Sequence, residues 1–419
     1  MSAPHAPHAT LWPLRFISVE AASGVVLLIA AAVALGWANS PLAYAYEALW
    51  HLQLGFGLTQ FLPHVDLHFW VNDGLMTLFF LVVGLEIRRE MHDGALSDPR
   101  VATLPIIAAA GGVVIPALIY IVLNSDPAAR RGWAIPTATD IAFAVGVLSL
   151  IGRVPAALRM LLLTLAIIDD IAAILVIAFF YSSGIAVAGL VLVAVGVLLV
   201  LLLQWLSVRS ALAYIVPGII VWYGMLTAGM HPTLAGVILG LLTPAKASFG
   251  RKARQAPAAA EIPAPVTQLE SALHPYVAFA IMPVFALANA GVSLAGLDLT
   301  DPAPLSVGLG VVAGLVVGKP VGIVLAALLA VRLKFCTLPT GVSWLHIVML
   351  GLLGGIGFTM AIFISNLAFD DPVLLAAAKF AVLVASGLAA VIGFILGRLP
   401  AARAPTSAAT DGPDVSGYR

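Results

Sequence analysis

Four of the ionisable residues inside the apolar runs are where this chain could do chemistry. Asp140 lies in Trp133-Ala-Ile-Pro-Thr-Ala-Thr-Asp140-Ile-Ala-Phe-Ala. Asp169 and Asp170 lie in Leu163-Thr-Leu-Ala-Ile-Ile-Asp-Asp-Ile-Ala-Ala-Ile, and Lys319 in Val316-Val-Gly-Lys-Pro-Val-Gly. A charged side chain at the centre of a membrane helix costs at least ~2.5 to 3.5 kcal/mol, so each needs a partner or a task. One lysine neutralises one carboxylate. The two remaining acids must take up protons or bind a cation, which a buried ion pair that only fixes helix packing does not explain. Neighbouring residues on a helix point about 100° apart, so Asp169 and Asp170 cannot both face one ligand squarely. One is expected to turn toward a cation and the other toward Lys319.

The backbone around these residues carries a second signal. Pro136 lacks a donor and disrupts a helix one turn before Asp140, while Thr137 and Thr139 offer oxygens to freed backbone groups or to a cation. Gly351-Leu-Leu-Gly-Gly-Ile-Gly-Phe-Thr-Met360 places four glycines in seven positions, read either as a second interruption or as a surface for close helix contact. Gly310, Gly314, Gly318 and Gly322 recur at four-residue spacing, a smooth face for packing.

The elements that must hold these groups follow from composition. Of 419 residues 62% are hydrophobic and 10% charged, against roughly 25% charged in a soluble domain, so the usual polar shell cannot be built. The fold class is an all-α polytopic membrane protein. Its twelve expected spans lie near residues 17–37, 73–87, 101–123, 133–151, 156–181, 185–206, 211–228, 232–242, 273–292, 305–331, 342–369 and 373–396. With a cytoplasmic N-terminus, the loop arginines and lysines fall inside apart from Arg130 and Arg131, which matches the positive-inside rule and puts both termini in the cytoplasm. The interrupted spans are the fourth and eleventh. Spans three to five and ten to twelve then form triplets of opposite orientation, an inverted repeat with two crossed, interrupted helices.

Residues 1–16 read as a cytoplasmic tail, 17–399 as one transporter domain and 400–419 as a disordered cytoplasmic tail. Alternation at Leu52, Leu54, Phe56 and Leu58, then Val65, Leu67 and Phe69, reads either as a short extracytoplasmic β-hairpin near 50–71, open to pairing with a second copy, or as an irregular loop. A basic segment near 245–268 reads as a cytoplasmic linker. Lys379 is expected to snorkel and pair loosely with Asp370 or Asp371. The single cysteine, Cys336, excludes an internal disulfide and thiolate zinc sites. No cofactor and no nucleic-acid partner are expected.

The chain resembles the NhaA family of bacterial sodium/proton antiporters, a family built on inverted repeats. The likeness is carried by Phe80-Leu-Val-Val-Gly-Leu-Glu-Ile-Arg-Arg-Glu90, Ala134-Ile-Pro-Thr-Ala-Thr-Asp140-Ile-Ala-Phe-Ala, Leu165-Ala-Ile-Ile-Asp-Asp170, Met230-His-Pro-Thr-Leu-Ala-Gly236, Leu287-Ala-Asn-Ala-Gly-Val292, Gly318-Lys-Pro320 and Gly354-Gly-Ile-Gly-Phe-Thr-Met360. The resemblance implies exchange of intracellular Na+, and also Li+, for extracellular H+ at the inner membrane. That exchange is expected to be electrogenic and pH-regulated, serving sodium and pH homeostasis, in a homodimer joined through the hairpin. It implies Asp170 as principal cation carboxylate with Asp169 beside it, Thr139 as a helper near Na+, and Asp140 and Lys319 as complements to the crossed helices. Glu86, Arg89, Glu90, Glu270 and His274 match a cytoplasmic cluster linked to pH sensing, and His231 a histidine affecting pH response. Ser271 stands where the family has a second histidine, which touches the pH profile and not the exchange site.

Rival classes fit less well. An intramembrane aspartyl protease leaves Lys319 superfluous, and the aspartates lack the Gly-x-Gly-Asp context. A cation channel calls for rings of acids or a repeated filter sequence. An exchanger of another solute is the nearest competitor.

Overall fold

The computed structural model describes residues 12–54, 65–152, 154–182, 184, 186–208, 210–245, 264–295 and 301–399. Its helices are α1 (Trp12–Ala38), α2 (Ala43–Trp50), α3 (Leu67–Asp93), α4 (Pro99–Leu123), α5 (Pro127–Thr137), α6 (Ile141–Ile151), α7 (Ala156–Phe180) and α8 (Val187–Trp205). There follow α9 (Ala211–Thr227), α10 (Leu234–Leu242), α11 (Pro265–Asn289), α12 (Pro302–Arg332), α13 (Trp344–Gly354), α14 (Phe358–Ala368) and α15 (Pro372–Arg398). Every expected span coincides with one of these helices or with a broken pair. Among the described residues seven helices are long and apolar enough to cross a bilayer singly, or up to ten if each bent pair is one span.

Helix starts are written locally. Asp98, Asp126, Asp301 and Asp371 each precede a proline and accept a backbone N–H of the first turn, at 2.9 Å from Arg100 and from Ala129, 3.3 Å from Ala303 and 2.8 Å from Val373. Such caps are worth about 1 kcal/mol, and proline at the first helical position costs no hydrogen bond.

Packing relies on small residues, since lipid supplies no hydrophobic drive between helices. The stripe expected from sequence lies against α4 and α5. A Cβ on Gly310 would meet the Asn124 amide at 2.6 Å, on Gly314 the Pro136 ring at 2.5 Å, on Gly318 the Pro116 Cα at 2.9 Å and on Gly322 the Gly111 carbonyl at 2.1 Å. Helix α10, with 9 residues, lies against α3 with equal intimacy. A Cβ on Gly236 would sit 2.1 Å from the Thr77 carbonyl.

Both predicted interruptions are present. Between α5 and α6 the chain is extended at Ala138 and Asp140 and turns by 45°, and between α13 and α14 it turns by 46° at Gly355, Ile356 and Gly357. Asp140 N–H donates to the Ile356 carbonyl at 2.7 Å, so the two breaks cross in contact.

Two expectations need correction. Leu67 and Phe69 are helical and Trp50 ends α2, so neither leg of the hairpin is a strand there; among the described residues pairing is confined to one antiparallel bridge, Gln53 with Asp66. The Asp66 carboxylate caps Phe69 N–H at 2.8 Å, which favours a helix start over continued alternation. Residues 55–64, where a hairpin tip would fall, lie outside the described residues. Helix α1 begins at Trp12 and α11 at Pro265, and residues 1–11, 246–263 and 400–419, which make up most of the expected tails and linker, lie outside the described residues. Lys379 does not pair with either aspartate, because Asp370 faces Arg131 at 3.4 Å and Asp371 caps α15.

Candidate functional site

The two breaks leave four half-helix ends inside the bundle, each with backbone groups lacking a partner in its own helix. Asp140 serves both N-termini. Its Oδ1 accepts from Phe143 N–H at 3.0 Å, capping α6, and its Oδ2 accepts from Thr359 N–H at 3.1 Å, capping α14. The Thr359 hydroxyl donates to the same Oδ2 in a short bond. One negative charge thus answers the positive ends of two half-helix dipoles.

The C-terminal ends are answered as well. Lys319 Nζ donates to the Thr137 carbonyl, the last of α5, in another short bond. Thr139 Oγ1 lies 2.8 Å from the Gly354 carbonyl, the last of α13, and 2.6 Å from Asp169 Oδ2. The Lys319 side chain follows directly on a widened, π-type turn at Gly314–Gly318, a feature that recurs at functional positions in helices.

The two aspartates differ in their contacts. Lys319 Nζ lies 2.8 Å from Asp169 Oδ2, with both side chains fully buried. Asp170, one residue on, has no such cation. Its Oδ1 is buried without a hydrogen-bond partner, as is Asp169 Oδ1. Asp140, Asp169, Asp170 and Lys319 are each at most 2% exposed. The arrangement therefore presents two free carboxylate oxygens on adjacent residues, an arrangement able to take either protons or a hard cation such as Na+.

The second predicted group lies elsewhere, where the far end of α3 meets the start of α11. Arg89 Nη1 lies 2.5 Å from Glu270 Oε1 and Arg89 Nη2 lies 3.4 Å from Glu90 Oε1. Glu90 Oε2 also accepts from Ala95 N–H at 2.9 Å, which ties the pair to the turn after α3. Glu86 stands one turn earlier on α3 and His274 one turn later on α11, within charge range of this pair. Ser271 is exposed and bonds its own helix at the Gln268 carbonyl, 3.0 Å away.

His231 belongs to neither group. It sits between α9 and α10, where Nε2–H donates to the Tyr181 carbonyl at 2.7 Å. Burial makes the ring harder to protonate than a free histidine.

Sequence reasoning did not single out Thr359, although it stands in a quoted motif, nor Ser386 of α15, whose hydroxyl accepts from Phe358 N–H at 3.0 Å. Thr359 was findable as the first hydroxyl after the glycine break. Ser386 had no local signal, because it acts across 28 residues of sequence.

The family described as Na+/H+ antiporter 1 matches residues 14–396. A Na(+)/H(+) antiporter NhaA 2 of Pseudomonas putida is 54% identical over 91% of this chain and 92% of its own length. A Na(+)/H(+) antiporter NhaA of Cupriavidus necator is 52% identical, covering 91% of this chain and 89% of its own. Among solved structures, a sodium proton antiporter of Methanocaldococcus jannaschii overlays with a TM-score of 0.47 at 12% identity, covering 93% of this chain and 96% of that one, too remote to add to the sequence relationship. With a match of this extent running through the crossed helices and the buried aspartates, the chain belongs to the Na+/H+ antiporter 1 family and is a multi-pass membrane protein that exchanges Na+ for H+.

Proposed function

We propose that Asp170 is the carboxylate for which sodium and protons compete. The observation that carries this reading is the asymmetry of the pair: Asp169 is neutralised by Lys319, whereas Asp170 Oδ1 is buried with nothing to satisfy it. Sodium binds when Asp170 is deprotonated, taking oxygens from Asp170 and Asp169 with Thr139 adjacent, and proton binding expels it. Asp140 and Lys319 hold the crossed half-helices, and alternating access couples the two flows. Lithium, also a small hard cation, uses the same oxygens.

The cycle is electrogenic, moving more than one proton per cation so that membrane potential drives sodium export. The cluster of Glu86, Arg89, Glu90, Glu270 and His274, with His231, sets the pH response. The protein lies in the bacterial inner membrane with twelve crossings and cytoplasmic termini, in agreement with the distribution of basic loop residues. The chain forms one transporter domain, with the two triplets inverted about the crossing. It acts as a transporter and not as an enzyme, in the service of sodium and pH homeostasis. A homodimer joins through the segment near 50–71.

The decisive experiment reconstitutes Asp170→Asn in vesicles and follows internal pH on adding sodium. Loss of the sodium-dependent pH change is expected, and undiminished exchange would remove Asp170 from this role.

A further inference from the structure

A second polar assembly lies inside the helix bundle, away from the crossed breaks. Asn366 Nδ2 donates to Asn289 Oδ1 at 2.7 Å, and Asn289 Nδ2 donates to Asn72 Oδ1 at 2.8 Å. Asn72 Nδ2 in turn lies 3.1 and 3.2 Å from the ring nitrogens of His68. The three carboxamides come from α14, α11 and α3. Side-chain amides are scarce in a membrane interior because each must find partners there, and a network joining three helices is not a by-product of packing.

The direction of this chain is imposed by one backbone group. Asn289 Nδ2 also donates to the Phe285 carbonyl at 3.0 Å, and a carbonyl only accepts. The amide side of Asn289 therefore faces Phe285 and Asn72, and its oxygen faces Asn366. Asn366 must present its NH2 there. Its own oxygen is left over, and Asn366 Oδ1 is indeed buried with no hydrogen-bond partner.

Position supplies the next step. Helices α3 and α11 are joined through Arg89 and Glu270 at one end and through Asn72 and Asn289 at the other. The amide chain thus sits at the end that carries Asp66. Asn366 is seven residues beyond Thr359 on α14, about 10 Å along the helix from the Asp140 cap. It stands between the Asp66 end of the protein and the crossed breaks.

We propose that Asn366 Oδ1 is a stepping ligand for a partly dehydrated sodium ion on the route between the Asp66 end and Asp170, with Asn289 and Asn72 as positioning residues that hold its oxygen toward the path. This rests on Asp170 as the resting site. An amide oxygen is a hard donor suited to Na+, and it carries no charge that would trap the ion. The charged and titratable groups nearby are Lys379 of α15, and Asp66 and His51, all within charge range of His68, and Asp73, next to Asn72. Lys379 has no ion-pair partner among the described residues. Its positive charge opposes long residence of a cation, as a stepping point requires: binding favourable enough to enter and weak enough to leave.

The test measures sodium kinetics in proteoliposomes of fixed sidedness, with sodium chloride offered from either face. Asn366→Leu is expected to raise KM about fivefold from the Asp66 side, the worth of roughly one hydrogen-bond-like contact. From the Glu270 side it is expected to lower kcat with KM unchanged, because release is slowed. Equilibrium binding of radioactive sodium by the solubilised protein should be unchanged. Asn289→Leu should act in the same direction, non-additively with Asn366→Leu, and Asn366→Ser, which keeps an oxygen, should recover part of the loss. Should Asn366→Leu fail to fold, Asn366→Ser against the native protein carries the same comparison. Unaltered kinetics from both sides, equal KM shifts from both sides, or weakened equilibrium binding would overturn the proposal. Failure of the Asp170 assignment is separate, since it appears as exchange retained in Asp170→Asn.

Discussion

Lys319 and Asp169 form an ion pair at 2.8 Å with neither side chain exposed, while the next residue, Asp170, makes no ion-pair contact and leaves Oδ1 buried without a hydrogen-bond partner. Taking two charges out of water is costly, and the pair repays that cost only while both members are present.

Asp169→Asn should therefore destabilise strongly. It removes the direct ion-pair partner of the buried Lys319 ammonium, and breaking such a pair costs about 3 to 5 kcal/mol. Thermal unfolding in detergent should show a large fall for Asp169→Asn and a smaller one for Asp169→Asn with Lys319→Met. Equal falls would mean that the pair does not hold the fold.

Asp140 caps two half-helices with its two oxygens, so its substitutions should be graded. Asp140→Asn keeps one acceptor for Phe143 and loses the one facing Thr359, whereas Asp140→Ala loses both. With about 1 kcal/mol per cap, the losses should be about 1 and about 2 kcal/mol. Denaturation midpoints that do not separate the two variants would contradict a shared cap.

The contact of α4 with α12 admits no side chain at Gly322. An added Cβ would lie 2.1 Å from the Gly111 carbonyl, so the helices must part, at a cost of about 1 to 3 kcal/mol. Gly387→Ala is the matched control, since nothing lies within 4 Å of its added Cβ. The first variant should melt lower and the second should not.

His231 supplies a pH dependence whose sign follows from burial. The folded ring binds a proton less readily than the unfolded one, which titrates near pH ~6.5. Above that pH neither state is protonated and the group is neutral in its effect. As pH falls below ~6.5 the unfolded chain gains a proton that the folded one resists, so stability declines toward the lower folded value. His231→Gln keeps a donor for the Tyr181 carbonyl and should flatten the decline in melting temperature on acidification. An unchanged slope would assign the pH response to other groups.

Much of this protein was legible in the order of its residues. Mean apolarity dictated membrane helices, because a chain with so few charges cannot build a water-facing shell. The arithmetic of one lysine against three aspartates dictated a proton or cation site. Pro136 and the glycines after Leu353 marked the two breaks, since proline withholds a donor and glycine tolerates sharp turns. Those are local or additive properties, and they survive without knowledge of contacts.

Tertiary structure decided which aspartate pairs with Lys319. Asp169 and Asp170 have the same chemistry and adjacent positions, and only the arrival of α12 beside α7 pairs one and leaves the other free. It also decided that Asp140 serves a helix more than 200 residues away, at Thr359, with a separation of 219. Ser386 and the chain from Asn366 to Asn72 were invisible for the same reason. A hydrogen bond between distant segments is set by how helices cross, and crossing depends on shapes fitting across the whole bundle. At Leu67 and Phe69 the alternation in the sequence favoured a strand, and the Asp66 cap, acting on a helix that packs against its neighbours, prevailed.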